Sequence, residues 1–415
     1  MLHFSRHAWS PQAAFYLFKG GYAFSFTLMA TIFSLYHIQT AHLNPLQLIV
    51  VGAVLEGTCF LLEIPTGVVA DMYSRKLSLI LGVVIMGVGL AVEGLFPTFA
   101  IILGAQMIWG AGATFLSGTD VAWLTDEVGP DKVQRVLVRG MQLYQLCSIL
   151  GIVASVALAQ IHLQVPMVAS GLALLVLGLL LLVVMPETGF KPERAEGQSV
   201  VRRYLKLVAR GFGHLRSHPT MIPFFIVVWL GGLYSEGIDR LWVLRLTDEI
   251  GLASLPIAEI YWFAIIQIVL LFLNFGAMRW VERRIDIWSH KTLYGLMALN
   301  NLVLLAALLG FALVNTFYAA LFAFWVLMVA RGTNDPLITI IVNDSIKDSS
   351  MRATVLSMKG LADQIGQVLG GLCVGFIALR VTVSLGLLAS SVVLVVIVFM
   401  LGYLWRREPV SEQSQ

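Results

Sequence analysis

The chain has 415 residues, of which 58% are hydrophobic and 12% are charged, and its formal net charge is +3 at pH 7. About a quarter of the residues are charged in a typical soluble domain, so this composition excludes a water-soluble globular protein and indicates a lipid environment. The basic residues are spread over many loops, which gives no support for nucleic-acid binding. The cysteines Cys59, Cys147 and Cys373 all lie in apolar stretches without metal or disulfide spacing, and we predict free packing thiols.

The apolar pattern predicts an all-α membrane protein with twelve transmembrane helices. A helix needs about 20 apolar residues to cross the hydrocarbon core. The first predicted span is too long for a cleaved signal peptide and lacks a small-residue cleavage site, so we predict that it is retained. In chain order the predicted spans are 13–36, 46–68, 77–97, 99–122, 139–160, 165–185, 220–244, 258–280, 292–313, 316–341, 354–378 and 383–405.

The basic residues predict the orientation of these spans. The turns that we assign to the outer side, at 37–45, 93–98, 162–165 and 315, contain no Lys or Arg. Cytoplasmic loops are enriched in Lys and Arg, so both termini are predicted to be cytoplasmic in a multi-pass protein of the cell inner membrane. Arg245 and Arg380 are the outer exceptions. The inner bases are Arg75, Lys76, Lys132, Arg135, Arg139, Arg279, Arg283, Arg284, Lys291, Lys347, Arg352, Lys359, Arg406 and Arg407.

A long polar interval divides the chain near its middle. We predict an N-terminal six-helix bundle over 1–185, a cytoplasmic linker over 186–218 and a C-terminal six-helix bundle over 219–415. Within the linker, the apolar residues of 200–215 recur at helical spacing, which fits an amphipathic helix on the membrane surface. A solvated linker whose bases only set the topology is the alternative.

Two short segments indicate an internal repeat. Gln145, Leu150 and Gly151 match Gln364, Leu369 and Gly370 at a constant separation of 219 residues. The match falls on the fifth and eleventh spans, as a parallel duplication of six helices predicts.

An acid and two bases lie between the second and third spans, in the order G-x-x-x-D-x-x-x-R-K. The residues of this pattern are Gly67, Asp71, Arg75 and Lys76. The glycine would allow another backbone to approach, and the carboxylate would cap the N–H groups of a neighbouring helix. This stretch resembles the signature loop of the major facilitator superfamily. The preceding E-x-P-T-G sequence, from Glu63, is similar to bacterial drug-exporter-like members.

A second match follows the tenth span, where R-A-T-V-L-S begins at Arg352 after G-T-N-D-P at 332–336. It resembles the same exporter-like group. In the fourth span, the R-x-x-Q-G pattern of proton-driven exporters has Gln106 in place of its arginine, which puts proton coupling through that position in doubt. The resemblance also implies that Asp71 lies beside the start of the eleventh helix, near Arg352, and holds the inner side shut.

Three carboxylates within spans are candidates for proton coupling, because a charge in hydrocarbon needs a partner or a function. Glu56 and Glu63 are about two helical turns apart on one face of the second span, and Glu56 and Asp363 lie near mid-membrane. The resemblance implies that the second and eleventh helices face each other, so that these acids line the central route. A buried carboxylate can take up a proton near neutral pH. The alternative is that they hydrogen-bond helix ends or lock an interface.

Other charged residues in the spans are interpreted as pairs or anchors. Lys19 either reaches the membrane surface or serves as a counter-ion for Glu56 or for an anionic substrate group. Asp120 is predicted to make a cap or a loop contact. The remaining candidates are four residues apart and are predicted to form structural or gating ion pairs, Glu236 with Arg240 and Arg331 with Asp335.

These features favour a secondary transporter that works by alternating access. The sequence contains no G-x-S-x-G, Cys–His or Walker A motif, so we predict that it is not an enzyme and has no cofactor or metal. The predicted activity is proton-coupled export of a small, partly apolar compound by a monomer in the lipid bilayer. The alternatives are an uptake carrier or flippase for a lipid, metal ion or metabolite, and a non-transporting receptor of the same fold.

Overall fold

A computed structural model describes residues 9–191, 221–251, 257–284, 289–345 and 349–407. The amphipathic helix predicted over 200–215 lies outside these ranges. The described chain forms fourteen α-helices and one π-helical turn at Arg245–Glu249. The α-helices are α1 Pro11–Ala30, α2 Phe33–Gln39, α3 Pro45–Met72, α4 Arg75–Leu95, α5 Phe99–Leu116, α6 Thr119–Val128, α7 Pro130–Ala159, α8 Gln164–Val184, α9 Met221–Leu244, α10 Glu259–Glu282, α11 His290–Leu313, α12 Phe317–Ser345, α13 Ser349–Arg380 and α14 Val383–Arg407.

The helix lengths and composition confirm the prediction of an all-α membrane protein. Eleven segments of the described chain are long and apolar enough to cross a bilayer. The first predicted span supplies a further apolar helix, the 20-residue α1, which the short α2 continues.

Two predicted spans are interrupted, which hydropathy did not reveal. The helix breaks after α1 at Thr31–Ile32, where Ile32 leaves the helical region with φ −116° and ψ 0°. The fourth span ends at Leu116 because Gly118 adopts φ +67°, a left-handed conformation that suits glycine. The short helix α6 follows and carries Asp120, so the predicted continuous span over 99–122 was wrong at its end.

The stretch that resembles the signature loop is mostly helical. Helix α3 continues through Pro65 to Met72, and α4 begins at Arg75, so that Tyr73 and Ser74 alone connect them. Ser74 caps α4 by accepting a hydrogen bond from the Leu77 N–H at 2.9 Å. In the described part of the chain, nothing lies within 4 Å of the position that a Gly67 Cβ would occupy. The close backbone approach expected at this glycine is therefore not found there.

The contacts divide the chain into two units. The first contains Met1–Leu43, Val54–Arg202 and Ile260–Gln267, and the second contains Asn44–Ala53, Arg203–Glu259 and Ile268–Gln415. In the first unit α1 packs on α7 and α8, and α4 packs on α5 and α8. In the second unit α9 packs on α13 and α14, and α11 packs on α12 and α14. The same pairing recurs six spans later, as a parallel duplication requires.

The glycines of the repeat lie where the backbones of two helices are in close contact. A Cβ on Gly370 of α13 would lie 1.8 Å from the carbonyl oxygen of Leu233 on α9. A Cβ on Gly151 of α7 would lie 2.6 Å from the carbonyl oxygen of Phe24 on α1. The two positions therefore have the same function in their units, because both let a helix backbone touch its partner.

Arg245 departs from the charge rule because it is a structural residue. It is 2% exposed and follows α9. Its guanidinium donates to the carbonyl oxygens of Phe311, Ala312 and Val314 at 3.3, 3.0 and 2.8 Å, and Glu249 lies 3.1 Å away. The carbonyl groups that end α11 have no helical partner of their own, so Arg245 satisfies them.

Replacing Gly370 with alanine should destabilise the protein by about 1–3 kcal/mol, because the added Cβ forces α13 away from α9. The measurement is the apparent Tm of the purified protein in detergent. Gly360→Ala on the same helix is the matched control, since no described atom lies within 4 Å of its Cβ position. Equal Tm values for the two variants would contradict the packing explanation.

Candidate functional site

The second unit contains a cavity of about 100 Å³ with polar walls. This is room for several water molecules or a small polar group. We call it the polar cavity. Its polar lining comes from α9, α11, α12 and α13, and consists of Tyr234, Ser235, Asn301, Arg331, Asn334, Asp335, Lys359 and Asp363.

Arg331 lines this cavity in a bidentate pair with Asp239. Its Nη2 donates to Asp239 Oδ2 at 2.7 Å, and its Nη1 donates to Oδ1. Two parallel bonds between a guanidinium and a carboxylate are stronger and more directional than a single contact. The predicted pair of Arg331 with Asp335 is therefore not formed, because Asp239 of α9 offers Arg331 a better partner.

Asp335 instead pairs with a base of α13. Lys359 Nζ lies 2.6 Å from Asp335 Oδ1, and the Asp335 side chain is 78% exposed. An ion pair that is so accessible contributes little to stability. The predicted pair of Glu236 with Arg240 has its expected geometry, with Arg240 Nε donating to Glu236 Oε1 at 2.8 Å.

Asp363 lies on the wall of the polar cavity, and its carboxylate accepts a hydrogen bond from a side chain of its own helix. Gln367, one turn further along α13, donates to Asp363 Oδ2 at 2.8 Å. A carboxylate can accept about four hydrogen bonds, so it has capacity for further donors. Two amides also line the cavity, where Asn301 donates to Asn334 Oδ1 at 3.3 Å, and the neighbouring Asn300 donates to the same atom at 2.8 Å. The sequence prediction named Asp363 and missed this amide cluster.

The candidates on α3 lie in the first unit. Glu63 accepts a hydrogen bond from Ser117 Oγ at 2.6 Å, at the break between α5 and α6. This contact fits the alternative in which Glu63 stabilises the fold. Glu56 lies two turns earlier on α3 and is half-buried.

Lys19 contacts an acid that the sequence did not connect with it. Its Nζ lies 2.5 Å from Asp120 Oδ2 of α6, and both side chains are less than one-fifth exposed. The two residues are about a hundred positions apart, so no local spacing could indicate the pair. The break at Gly118 places Asp120 on a separate helix that can face α1.

The signature residues form a chain of charges at one end of the first unit. Arg75 lies between two carboxylates, 3.3 Å from Asp71 Oδ1 and 2.6 Å from Asp126 Oδ2 of α6. Glu187 accepts from the Lys76 N–H at 2.9 Å and from Ser74 Oγ at 2.7 Å, which caps the start of α4. The side chain of Arg352 lies outside the described part, so its predicted contact with Asp71 stays a prediction.

A buried acid and histidine were missed because both lie near predicted outer turns. Glu93 is 0% exposed and His37 is 1% exposed, and their side chains are 2.6 Å apart. Gln106 of α5 donates to the same carboxylate at 2.7 Å. The signal available in the sequence was the acid itself, one turn before the end of an apolar helix.

The comparisons with known proteins agree with this architecture. The family model described as Major Facilitator Superfamily matches residues 16–299, more than half of the chain. The chain belongs to the major facilitator superfamily. It is 25% identical over 391 residues to the uncharacterized MFS-type transporter YxaM of Bacillus subtilis (strain 168), covering 93% of this chain and 92% of YxaM.

Solved transporters of the superfamily share the fold. A variant of the nucleoside transporter NupG superposes with a TM-score of 0.79 at 14% identity, covering 95% of this chain and 99% of that one. A bacterial homologue of the human lysosomal transporter Spinster gives a TM-score of 0.72 at 15% identity, covering 95% and 96%. The major facilitator fold is thereby confirmed, and membership of this family supports a function in membrane transport.

Removing one partner of the pair on the cavity wall should destabilise this transporter. We expect Arg331→Gln to cost about 1–3 kcal/mol, between the values for an exposed and a fully buried pair, because Asp239 loses its counter-charge. The double variant Asp239→Asn/Arg331→Gln should cost less than the two single variants added together. Apparent Tm values in detergent measure this.

The matched control for that cycle is Lys359→Gln, which breaks the exposed pair with Asp335. It should change stability by less than about 1 kcal/mol. If the effects of the Asp239 and Arg331 variants simply add, the two residues are not energetically coupled and the expectation is wrong.

Proposed function

We propose that this transporter exports a small, partly apolar compound in exchange for protons and that Asp363 carries the coupling proton. The observation that supports this is the placement of Asp363, a carboxylate in a transmembrane helix on the wall of the polar cavity. Carboxylates within membrane spans are costly and mark ion or substrate routes. The residues from Glu63 to Lys76 and from Arg352 to Ser357, which resemble those of bacterial exporters, support export as the direction of transport.

The surroundings of Asp363 suit a group that gains and loses a proton. Asp363 accepts its described side-chain hydrogen bond from the neutral amide of Gln367, while Arg331, which also lines the cavity, forms a bidentate pair with Asp239. Asp363 is therefore not locked in its charged form by an arginine. When it is protonated the cavity wall is less polar, and when it is charged it attracts a cationic or hydrogen-bond-donating substrate.

Alternating access requires contacts that differ between two conformations, and we propose that the signature residues form such contacts. Arg75 joins Asp71 at the end of α3 to Asp126 on α6, so a change at either carboxylate shifts the other contact. We propose that this chain of charges, together with Arg352, closes the cytoplasmic side in one state. Both termini are cytoplasmic in this proposal, and the protein acts as a monomer.

The test measures pH-gradient dissipation in proteoliposomes with lipophilic cations, neutral drugs and zwitterions as probes. Wild-type protein should release protons when an exported probe is added. Asp363→Asn should reduce this proton flux to the level of empty liposomes, because the amide cannot bind the proton. Glu56→Gln tests the second carboxylate. Asp131→Asn, an exposed acid at the start of α7, is the matched control and should behave as wild type.

Each outcome has a separate meaning. Probe movement without proton flux in wild type would overturn proton exchange. Proton flux that is unchanged in Asp363→Asn would overturn the assignment of the carrier. If no probe is transported by wild type while thermal shifts show binding, the receptor alternative replaces transport.

A second candidate is uptake of a metabolite that forms several hydrogen bonds. The amide cluster of Asn300, Asn301 and Asn334 favours it, because apolar drugs do not need such a wall. NupG is a nucleoside transporter, but its likeness to this chain concerns the fold. Labelled uridine that accumulates inside vesicles under an inward proton gradient would favour uptake, and Asn301→Leu should then abolish accumulation.

A further inference from the structure

A buried polar cluster lies in the first unit, where α4 ends and α5 begins. We call it the His37 cluster, and it consists of His37, Glu93 and Gln106. His37 Nε2 lies 2.6 Å from Glu93 Oε1, and Gln106 Nε2 donates to Glu93 Oε2 at 2.7 Å. All three residues are at most 1% exposed. The cluster belongs to the first unit, whereas the polar cavity lies in the second, and the proposed export does not use it.

The described neighbours of this cluster are mainly aromatic and apolar side chains. Phe33 stacks edge-on against the His37 ring at 4.3 Å and against Trp109 at 5.6 Å. From α8, Met167 and Val168 pack at Gly94, next to the acid. Tyr36 is the other titratable residue at the cluster, and its hydroxyl donates to the backbone carbonyl of Glu93. Within the described ranges, no further charged side chain pairs with His37 or Glu93.

Charge balance fixes how many protons the cluster holds. With one proton shared between the imidazole and the carboxylate, the pair has no net charge. Without it the pair carries a buried negative charge, which is strongly unfavourable because no cation of the described residues pairs with it. Loss of the proton must therefore be accompanied by rearrangement or by entry of water.

The amide of Gln106 can hydrogen-bond Glu93 whether the shared proton lies on His37 or on Glu93. Its Nε2 donates to Glu93 while the carboxylate is charged, and its Oε1 is buried without a hydrogen-bond partner in the described structure. If the proton moves to Glu93, a rotated amide presents Oε1 as the acceptor. An unpartnered buried acceptor beside a carboxyl group is what a site with two proton positions needs.

The break in the first span makes α2 the element that responds. Thr31–Ile32 separates α2 from α1, so α2 can move independently. Among the described contacts, His37 and Tyr36 of α2 both bind Glu93 of α4, His37 at the carboxylate and Tyr36 at the carbonyl. We propose that the His37 cluster is a proton-binding site that holds one exchangeable proton, and that loss of this proton to water loosens α2 from α4 and α5.

The experiment uses full-length protein in lipid nanodiscs without added substrate, so its result does not depend on the proposed export. Hydrogen–deuterium exchange of peptides covering 33–39 is compared at about pH 6 and about pH 9, between which the proton concentration differs about a thousandfold. Exchange times are scaled to remove the intrinsic effect of pH. We expect the protection of α2 to fall by about tenfold or more at the higher pH.

Two variants and one control separate proton binding from packing. Glu93→Gln and His37→Gln each remove one member of the pair, so the protection of α2 should no longer depend on pH. Glu127→Gln removes a carboxylate that binds the Thr188 and Gly189 N–H groups elsewhere in the unit, and should keep the wild-type response. Infrared difference spectra between the two pH values should show a carboxyl or imidazole signal that both cluster variants lose.

The proposal fails if wild-type α2 is equally protected at both pH values, or if the response persists unchanged in both cluster variants. A structural role alone would lower the protection of the variants by the same factor at each pH and leave wild type unresponsive. If one variant does not fold, the wild-type comparison and the other variant still decide.

Discussion

A charge that enters the hydrocarbon region must find its partner inside the protein, because lipid offers neither counter-ions nor hydrogen bonds. In this transporter several of the partners come from other helices. Lys19 of α1 contacts Asp120 of α6, and Arg331 of α12 contacts Asp239 of α9. Each such pair fixes the distance between two helices that are remote in sequence. The polar residues therefore specify how the apolar helices pack, although apolar surface drives their insertion.

In both units a side chain binds backbone carbonyl groups near the end of a helix, at equivalent places but with different residues. In the first unit the Tyr36 hydroxyl, from the helix that continues α1, binds the carbonyl of Glu93 near the end of α4. In the second unit the Arg245 guanidinium, which follows α9, binds the carbonyl groups at the end of α11. Glu93 and Ala312 are 219 residues apart, the same separation as Gly151 and Gly370. The duplicated backbone has kept its contacts while the residues that make them have changed.

The sequence predicted what depends on local spacing and missed what depends on tertiary contacts. Hydropathy located the spans, because their length is set by the bilayer, and the four-residue spacing indicated the contact between Glu236 and Arg240. The same rule paired Arg331 with Asp335 wrongly, since Asp239 lies 92 residues away and no periodicity connects them. Glu93 was assigned to a turn because it is near a helix end, whereas α2 folds over it. The breaks at Ile32 and Gly118 are changes of backbone conformation, which hydropathy does not predict.

The degree to which each buried polar group is satisfied separates structural from functional candidates. Arg245 has carbonyl, amide and carboxylate partners, and Arg331 has both oxygens of Asp239, so neither can release its partners without a large loss. Asp363 receives its described bond from one neutral amide, and Gln106 keeps a buried oxygen without a partner. We propose that a carboxyl group with spare hydrogen-bonding capacity around it, such as Asp363 or Glu93 beside Gln106, changes its protonation with a smaller loss of hydrogen bonds. On this criterion Asp363 and the His37 cluster are the sites that we propose for proton chemistry, and Arg331 and Arg245 are structural residues.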